Sequence, residues 1–290
     1  MCPEPTAVWD TAGMDNDRIV AVLGAGKMGE ILAAGMVRSG VRTAGQILIT
    51  DSNADRVRQV RAEHGFSVVQ TNLEAVEAAG VVVLAVKPKD IGGLLAEIGS
   101  AVGRGHLVVS IAAGVTTGTL ESGLGAGAAV VRAMPNAASA VGEGVTAICP
   151  GSLATQEHLE RARELLEGVG PVLEIGEEYI DAVTAVSGSG PAYFALLAEA
   201  MVDAGVTVGL PREVAARLVA QTMRGTAALI TEGGMEPAEV RNAVTSPGGT
   251  TAMAIRELER AGVRAGVLNA VQAAFDRAKG LGGPGSGAAK

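Results

Sequence analysis

From Arg18 onward the chain repeats one pattern: a run of consecutive apolar residues, a stretch of helical period, then another such run. The runs are Ile19–Leu23, Gln46–Thr50, Ser67–Val69, Val81–Val86 and Leu107–Ile111. A strand that reads Val81-Val82-Val83-Leu84-Ala85-Val86 is apolar on both faces and must be covered on both. That is the situation of parallel strands joined by crossover helices. The helical stretches between them run from near Met28 through Met36, then over Ala54–Glu63, Leu73–Ala79 and Asp90–Ser100. This alternation predicts a doubly wound, mostly parallel α/β sheet.

Further strands are predicted at Ala129–Arg132, Val145–Ile148 and Val172–Ile175, with a helix over Gln156–Glu167. Past residue 180 the pattern changes: Pro191–Gly205, Pro211–Glu232, Thr250–Ala261 and Gly266–Lys279 all read as helices, with no strand among them. The expected organisation is an α/β domain over 18–180 and an all-helical domain over 181–279. A polar leader, 1–17, and a Gly/Ala-rich tail, 280–290, are expected to be disordered.

Composition narrows the function classes. Hydrophobic residues make up 48% but aromatics only 2%, so aliphatic side chains must fill both cores. A net charge of −8 with no basic stripe argues against nucleic acid and against anionic membrane surfaces. The apolar stretch Ala192–Leu210 is broken by Glu199 and Asp203, a poor membrane span. Cys2 and Cys149 are too few for a disulfide framework or a zinc cluster, and the leader lacks the apolar segment of a signal peptide. A cytoplasmic setting is expected.

Gly24-Ala25-Gly26-Lys27-Met28-Gly29 fits G-x-G-x-x-G and sits between an apolar strand ending at Leu23 and an amphipathic helix. In that context the first glycine makes a tight turn and the second lets a pyrophosphate approach the backbone. The third lets helix and strand pack closely, and the helix N-terminus supplies N–H donors. Asp51 ends the second strand, where an acid grips a ribose 2′-hydroxyl, yet Ser52, Asn53 and Arg56 follow and suit a 2′-phosphate. The same residues also read as a turn and helix cap, so NAD and NADP both stay open. Ala85-Val86-Lys87-Pro88 and Ile111-Ala112-Ala113-Gly114 follow strand ends and are expected to face the cofactor.

A second constellation is Ser246-Pro247-Gly248-Gly249-Thr250-Thr251, a Gly-Gly turn opening onto a helix. Its N–H groups and hydroxyls can hold a small carboxylate, and it also reads as a loop with a threonine N-cap. Ser187-Gly188-Ser189-Gly190-Pro191 reads as a hinge or a second small-residue surface. His64 is expected at a helix end, and His106 and His158 on surfaces; no spacing suggests a metal site. A reductase without a histidine acid needs a substrate that requires little proton help, such as an imine already protonated. Hydroxy-acid dehydrogenases usually place a lysine or histidine proton carrier near the helical domain, and no lysine occurs between Lys89 and Lys279.

Taken in order, these segments resemble the pyrroline-5-carboxylate reductase family over about residues 18–279. The resemblance also covers Val109–Thr116, Arg132–Asn136 and Asp181–Tyr193, and is most specific at Val244–Thr251 with Leu258-Glu259 following. It implies a Rossmann domain followed by a helical dimerisation domain, in homodimers that assemble further into decamers. It implies reduction of L-1-pyrroline-5-carboxylate to L-proline, the last step of proline biosynthesis, with NADP(H) ahead of NAD(H). Ser246, Gly248, Gly249 and Thr250 would hold the substrate carboxylate, and Thr251 would be the catalytic hydroxyl at the ring nitrogen. Leu23, Gly24, Ala25, Gly26, Lys27, Met28, Asp51, Ser52, Asn53, Arg56, Asn72, Ala85, Val86, Lys87, Pro88, Ala112 and Ala113 would surround the dinucleotide. Asp51 departs from the small polar residue that many members carry there.

Overall fold

The computed structural model describes residues 16–280. The predicted leader and tail therefore lie outside the described residues, apart from their inner ends. Asn16 and Asp17, assigned to the leader, instead form a 3-10 turn with Arg18, and the Asn16 carbonyl accepts from Gly80 N–H at 2.7 Å.

Eight strands form one sheet: β1 (Val20–Leu23), β2 (Ile47–Thr50), β3 (Ser67–Val68), β4 (Val81–Leu84), β5 (Leu107–Ser110), β6 (Ala129–Met134), β7 (Thr146–Pro150) and β8 (Val172–Glu174). Their order is β3-β2-β1-β4-β5-β6-β7-β8. Every pairing is parallel except β6 with β7. The strands are added outward as β1→β2→β3 on one side and β4→β5→β6 on the other, and this reversal of strand order puts a topological switch between β1 and β4. Successive side chains point to opposite faces, so Val20 and Val22 enter one core and Ala21 and Leu23 the other. Helices α1 (Lys27–Arg38) and α6 (Gln156–Leu166) cover the first face; α3 (Asn72–Ala78) and α4 (Ile91–Ile98) cover the second. Helix α2 (Ala54–His64) ends at Gly65, whose φ of +72° makes a left-handed cap.

Helix α5 (Thr117–Gly123) has no predicted counterpart, because Thr117-Gly118-Thr119 is a poor helix start by propensity. It forms because Thr116 caps it and the Glu177 carboxylate accepts from both the Thr117 N–H (2.7 Å) and the Thr117 hydroxyl (2.6 Å).

The chain divides into two compact units, one running to Gly188 and including the segment from Phe275, the other Ser189–Ala274. The division falls eight residues or so later than the change of pattern at 180/181, for a packing reason. Helix α7 (Ile180–Val183) buries Ile180 against Ala147 and Cys149, and a π-helical turn, Thr184–Gly188, continues it. Asn136 Nδ2 also donates to the Ser187 carbonyl at 3.2 Å. The second unit holds α8 (Gly190–Thr207), α9 (Arg212–Thr231), α10 (Pro237–Ala243) and α11 (Thr250–Arg260). Most of α12 (Val263–Lys279) belongs there too. Pro191 sits in the first turn of α8, whereas Pro211 is the residue before the first turn of α9.

Candidate functional site

A cleft of about 620 Å³ opens at the carboxyl ends of β1, β2 and β4. Gly24, Gly26, Asp51, Ser52, Asn72, Ala85, Val86 and Lys87 line it, so the structure brings together the core of the predicted dinucleotide set.

The three glycines of the turn differ in what they do. Gly24 has φ +113°, and a Cβ there would lie 2.8 Å from the Ala85 carbonyl carbon and oxygen. Gly29 lies on the first turn of α1, where a Cβ would come within 2.2 Å of the Gly24 carbonyl oxygen. These two glycines allow the close approach of strand, helix and the 85–86 loop. Gly26 has ordinary angles, φ −62° and ψ 174°, and a Cβ there would meet no atom within 4 Å. Its missing side chain is therefore not needed for packing; it leaves the backbone at the start of α1 open to the cleft, as a pyrophosphate requires. The cradle fits such a group.

The peptide of Ala25 is held from both sides. Its N–H donates to Asp51 Oδ2 at 2.8 Å, and its carbonyl accepts from Arg56 Nε at 2.8 Å. Asp51 Oδ1 accepts from Asn53 N–H at 2.9 Å. Asn53 in turn caps α2, its Oδ1 accepting from Asp55 N–H (3.0 Å) and Arg56 N–H (3.2 Å). The turn-and-cap reading of residues 51–53 thus holds, and Asp51 is at once a lining residue and a staple of the glycine turn. Arg56 does not line the cleft: its other contact is Glu30, at 2.5 Å.

Glu30 is almost buried, and burial pushes its carboxyl pKa up. His64 at 3.0 Å, Arg56 and Lys27 outweigh that and leave it below the ordinary carboxylate value. Glu30, Glu63 and His64 come together closely enough to hold an ion, but Arg56 and Lys27 already supply the positive charge at Glu30.

Asn72 opens α3 and is fixed at both ends of its amide: Thr50 Oγ1 donates to its Oδ1 (2.6 Å) and its Nδ2 donates to Glu97 Oε2 (2.9 Å). Lys89, Asp90, Gly93, Leu94 and Glu97 also line the cleft and were missed in the sequence. Their signal was the position of α4 directly after the Lys87-Pro88 loop. Ala112 packs into the second core cluster instead of lining the cleft. Leu23 is likewise wholly buried.

The three histidines stand apart from the cleft. His64 ends α2 as expected, and stacks on Phe66. His106 and His158, expected on the surface, are half-buried structural residues. His106 Nδ1 accepts from Gly103 N–H at 3.1 Å, and His158 Nδ1 accepts from Thr155 N–H at 3.0 Å as part of a capping box.

Ser246–Thr251 lies in the second unit. Gly248 takes φ +70°, and Gly249 N–H closes the turn on the Ser246 carbonyl at 3.0 Å. Gly249 then occupies the cap position of α11, so Thr250 and Thr251 form its first turn with N–H groups that lack intrahelical acceptors. The hydroxyls of Ser246, Thr250 and Thr251 have no hydrogen-bond partner among the described residues, and Thr251 is half-buried.

Comparison with known proteins agrees with this geometry. A family model described as pyrroline-5-carboxylate reductase dimerisation matches residues 177–281, and one described as NADP oxidoreductase, coenzyme F420-dependent, matches 19–114. A pyrroline-5-carboxylate reductase of Mycobacterium tuberculosis is 45% identical over 285 residues, covering 90% of this chain and 96% of that one. Among solved structures, a pyrroline-5-carboxylate reductase from Coxiella burnetii superposes with a TM-score of 0.86 at 33% identity, covering 93% of this chain and all of that one. The Plasmodium falciparum pyrroline carboxylate reductase, with NADP bound, gives 0.82 at 29% identity, with 93% and 100% covered. The chain belongs to the pyrroline-5-carboxylate reductase family.

Proposed function

We propose that this chain reduces the cyclic imine of L-1-pyrroline-5-carboxylate to L-proline, the last step of proline biosynthesis, using NADP(H) ahead of NAD(H). The observation that carries the site assignment is the Ser246–Thr251 turn, where unpaired N–H groups and three unpartnered hydroxyls share one helix start. A substrate carboxylate suits those donors and the positive end of the helix dipole. Ser246, Gly248, Gly249 and Thr250 hold that carboxylate, and the Thr251 hydroxyl sits at the ring nitrogen, donating to it as the neutral imine and accepting from its N–H once it is protonated. When bound, the dinucleotide supplies the hydride for the imine carbon. Gly24–Met28, Asp51–Asn53, Asn72 and Ala85–Pro88 hold and orient it. Fixing both reactants provides much of the rate by orientation. No histidine acid is required, because an imine nitrogen is basic enough to carry its own proton.

Replacing Thr251 with Ala is expected to lower turnover by about tenfold or more while dinucleotide affinity stays at the wild-type value. Wild-type turnover in that variant removes Thr251 from the mechanism. Following NADPH and NADH oxidation with pyrroline-5-carboxylate against a panel of keto acids tests the substrate class; oxidation with keto acids alone defeats the reading.

The dimerisation model and the exposed Phe194, Leu196, Leu197 and Met201 on α8 support a homodimer, with decamers as its further assembly. Sedimentation velocity at several concentrations tests both states. The acidic chain with two cysteines supports a cytoplasmic setting, which fractionation of cells expressing the full chain tests.

A further inference from the structure

At the opposite end of the parallel strands from the dinucleotide cleft lies a second cavity, of about 480 Å³. The C-terminal end of α1, the chain before β1 and β2, and α6 enclose it with Arg18, Ser39, Gly40, Arg42, Gln46 and Glu164. In a chain of net charge −8, this convergence of arginines stands out.

Arg42 is the centre of the cavity's chemistry. It is only 9% exposed; one guanidinium nitrogen donates to the Val41 carbonyl at 2.7 Å, and its Nε has no hydrogen-bond partner among the described residues. A buried N–H left unpaired is costly, more so on a charged group. Burial lowers the Arg42 pKa, and although Glu164 opposes this, Arg161 and Arg18 lower it further. Arg161 is already engaged by Asp17, through the carbonyl and, at 3.4 Å, the carboxylate. Arg18 is exposed and makes no salt bridge among the described residues. Gln46 uses its Oε1 to accept from Thr43 N–H at 2.9 Å, so its amide nitrogen is the part left to donate. The cavity therefore combines the guanidinium of a nearly buried arginine, a second guanidinium with no ion pair among the described residues, and a neutral amide donor. One carboxylate, Glu164, stands against them.

We propose that this cavity is a binding site for a small oxyanion, specifically a phosphate group accepting from the free terminal nitrogen (Nη2) of Arg42 and from the Arg18 guanidinium. Phosphate matches planar guanidinium forks better than a monovalent ion does, and Glu164 weakens its hold by like-charge repulsion. The phosphate comes either free in solution or as the terminal group of a nucleotide.

The test is isothermal titration of the full chain, with the dinucleotide cleft saturated with NADP⁺ so that phosphate is not read there. Inorganic phosphate and ATP are titrated separately into wild type, Arg18→Ala and Glu164→Gln. Both substitutions are at exposed positions, which avoids the folding risk of replacing Arg42. Arg18→Ala is expected to weaken binding about tenfold, and Glu164→Gln to tighten it several-fold, with NADP⁺ affinity unchanged in both. Tight binding of ATP with the same dependence on Arg18 identifies the source as a nucleotide; binding of phosphate alone identifies the free ion. Absence of binding by both ligands at millimolar concentration, or affinities indifferent to both substitutions, overturns the proposal.

Discussion

Adding one methyl group at Gly24 and, separately, at Gly26 perturbs the same turn in two different ways. At Gly24 the new side chain must accept φ +113° and must press on backbone atoms of Ala85 at 2.8 Å, which no rotamer change can relieve. The strained angle costs about 1–3 kcal/mol and the overpacking roughly 1–3 kcal/mol more. With a central value near 4 kcal/mol, and about 2–4 °C per kcal/mol for a domain of this size, Tm falls by roughly 10 °C. At Gly26 the backbone is already ordinary and a Cβ meets nothing within 4 Å, so stability changes by less than about 0.5 kcal/mol. The same methyl group, however, stands where the pyrophosphate approaches the backbone. Losing two charge-assisted N–H bonds at roughly 1.5–3 kcal/mol each weakens dinucleotide affinity by about a hundredfold or more. Thermal melts and titration of NADPH fluorescence read the two effects independently. A Gly26→Ala variant that binds NADPH like wild type, or a Gly24→Ala variant that melts like wild type, refutes the division of labour.

Three other outcomes follow from contacts described above. Replacing Arg56 with Gln removes the Ala25 carbonyl's donor and one cation of Glu30, so urea melts should show a loss of about 1–3 kcal/mol and NADPH should bind more weakly. Burial pushes the Glu177 carboxyl pKa up, but Thr117 and Arg132 outweigh it, and the folded value lies below the ordinary 4.5. The stability Glu177 adds is therefore complete above about pH 4.5 and is lost as pH falls through the folded value; Glu177→Gln should flatten the acid arm of the Tm–pH curve. Burial, with Glu177 nearby, pushes the Cys149 thiol up to about 12, so it should resist iodoacetamide at mildly alkaline pH and react fully in denaturant, as read by mass spectrometry.

The sheet was legible because doubly buried strands leave a mark that needs no tertiary information: Val81–Leu84 and Leu107–Ser110 are apolar at every position or nearly so. The glycine turn was legible from its spacing and its place between an apolar strand and a helix, although what requires Gly24 is the distant Ala85 and what requires Gly26 is the open backbone. Helix α5 was not, because its stability comes from Glu177, 60 residues away, and not from Thr117-Gly118-Thr119 itself. Helix α10 starts with Pro237 and a Glu236–Glu239 capping box in a stretch too short to show a period. Arg56 read as a ligand for a 2′-phosphate because its partner Glu30 lies 26 residues away, on another helix. The change of pattern near residue 180 marks where strands end, whereas compactness depends on where Ile180 and Ala185 bury.

The two-sided grip on Ala25 has a consequence for altering dinucleotide choice. Exchanging Asp51 for a small residue to admit a 2′-phosphate also strips the Ala25 N–H of its acceptor. Recruiting Arg56 toward that phosphate strips the Ala25 carbonyl of its donor and takes a cation from nearly buried Glu30. Selectivity and turn rigidity are thus coupled variables, and a single exchange at either residue shifts both together. Asp51→Asn weakens the coupling without abolishing it: the charge goes while the amide oxygen can still accept from Ala25 N–H, and Asn53 N–H is the donor left without its acceptor.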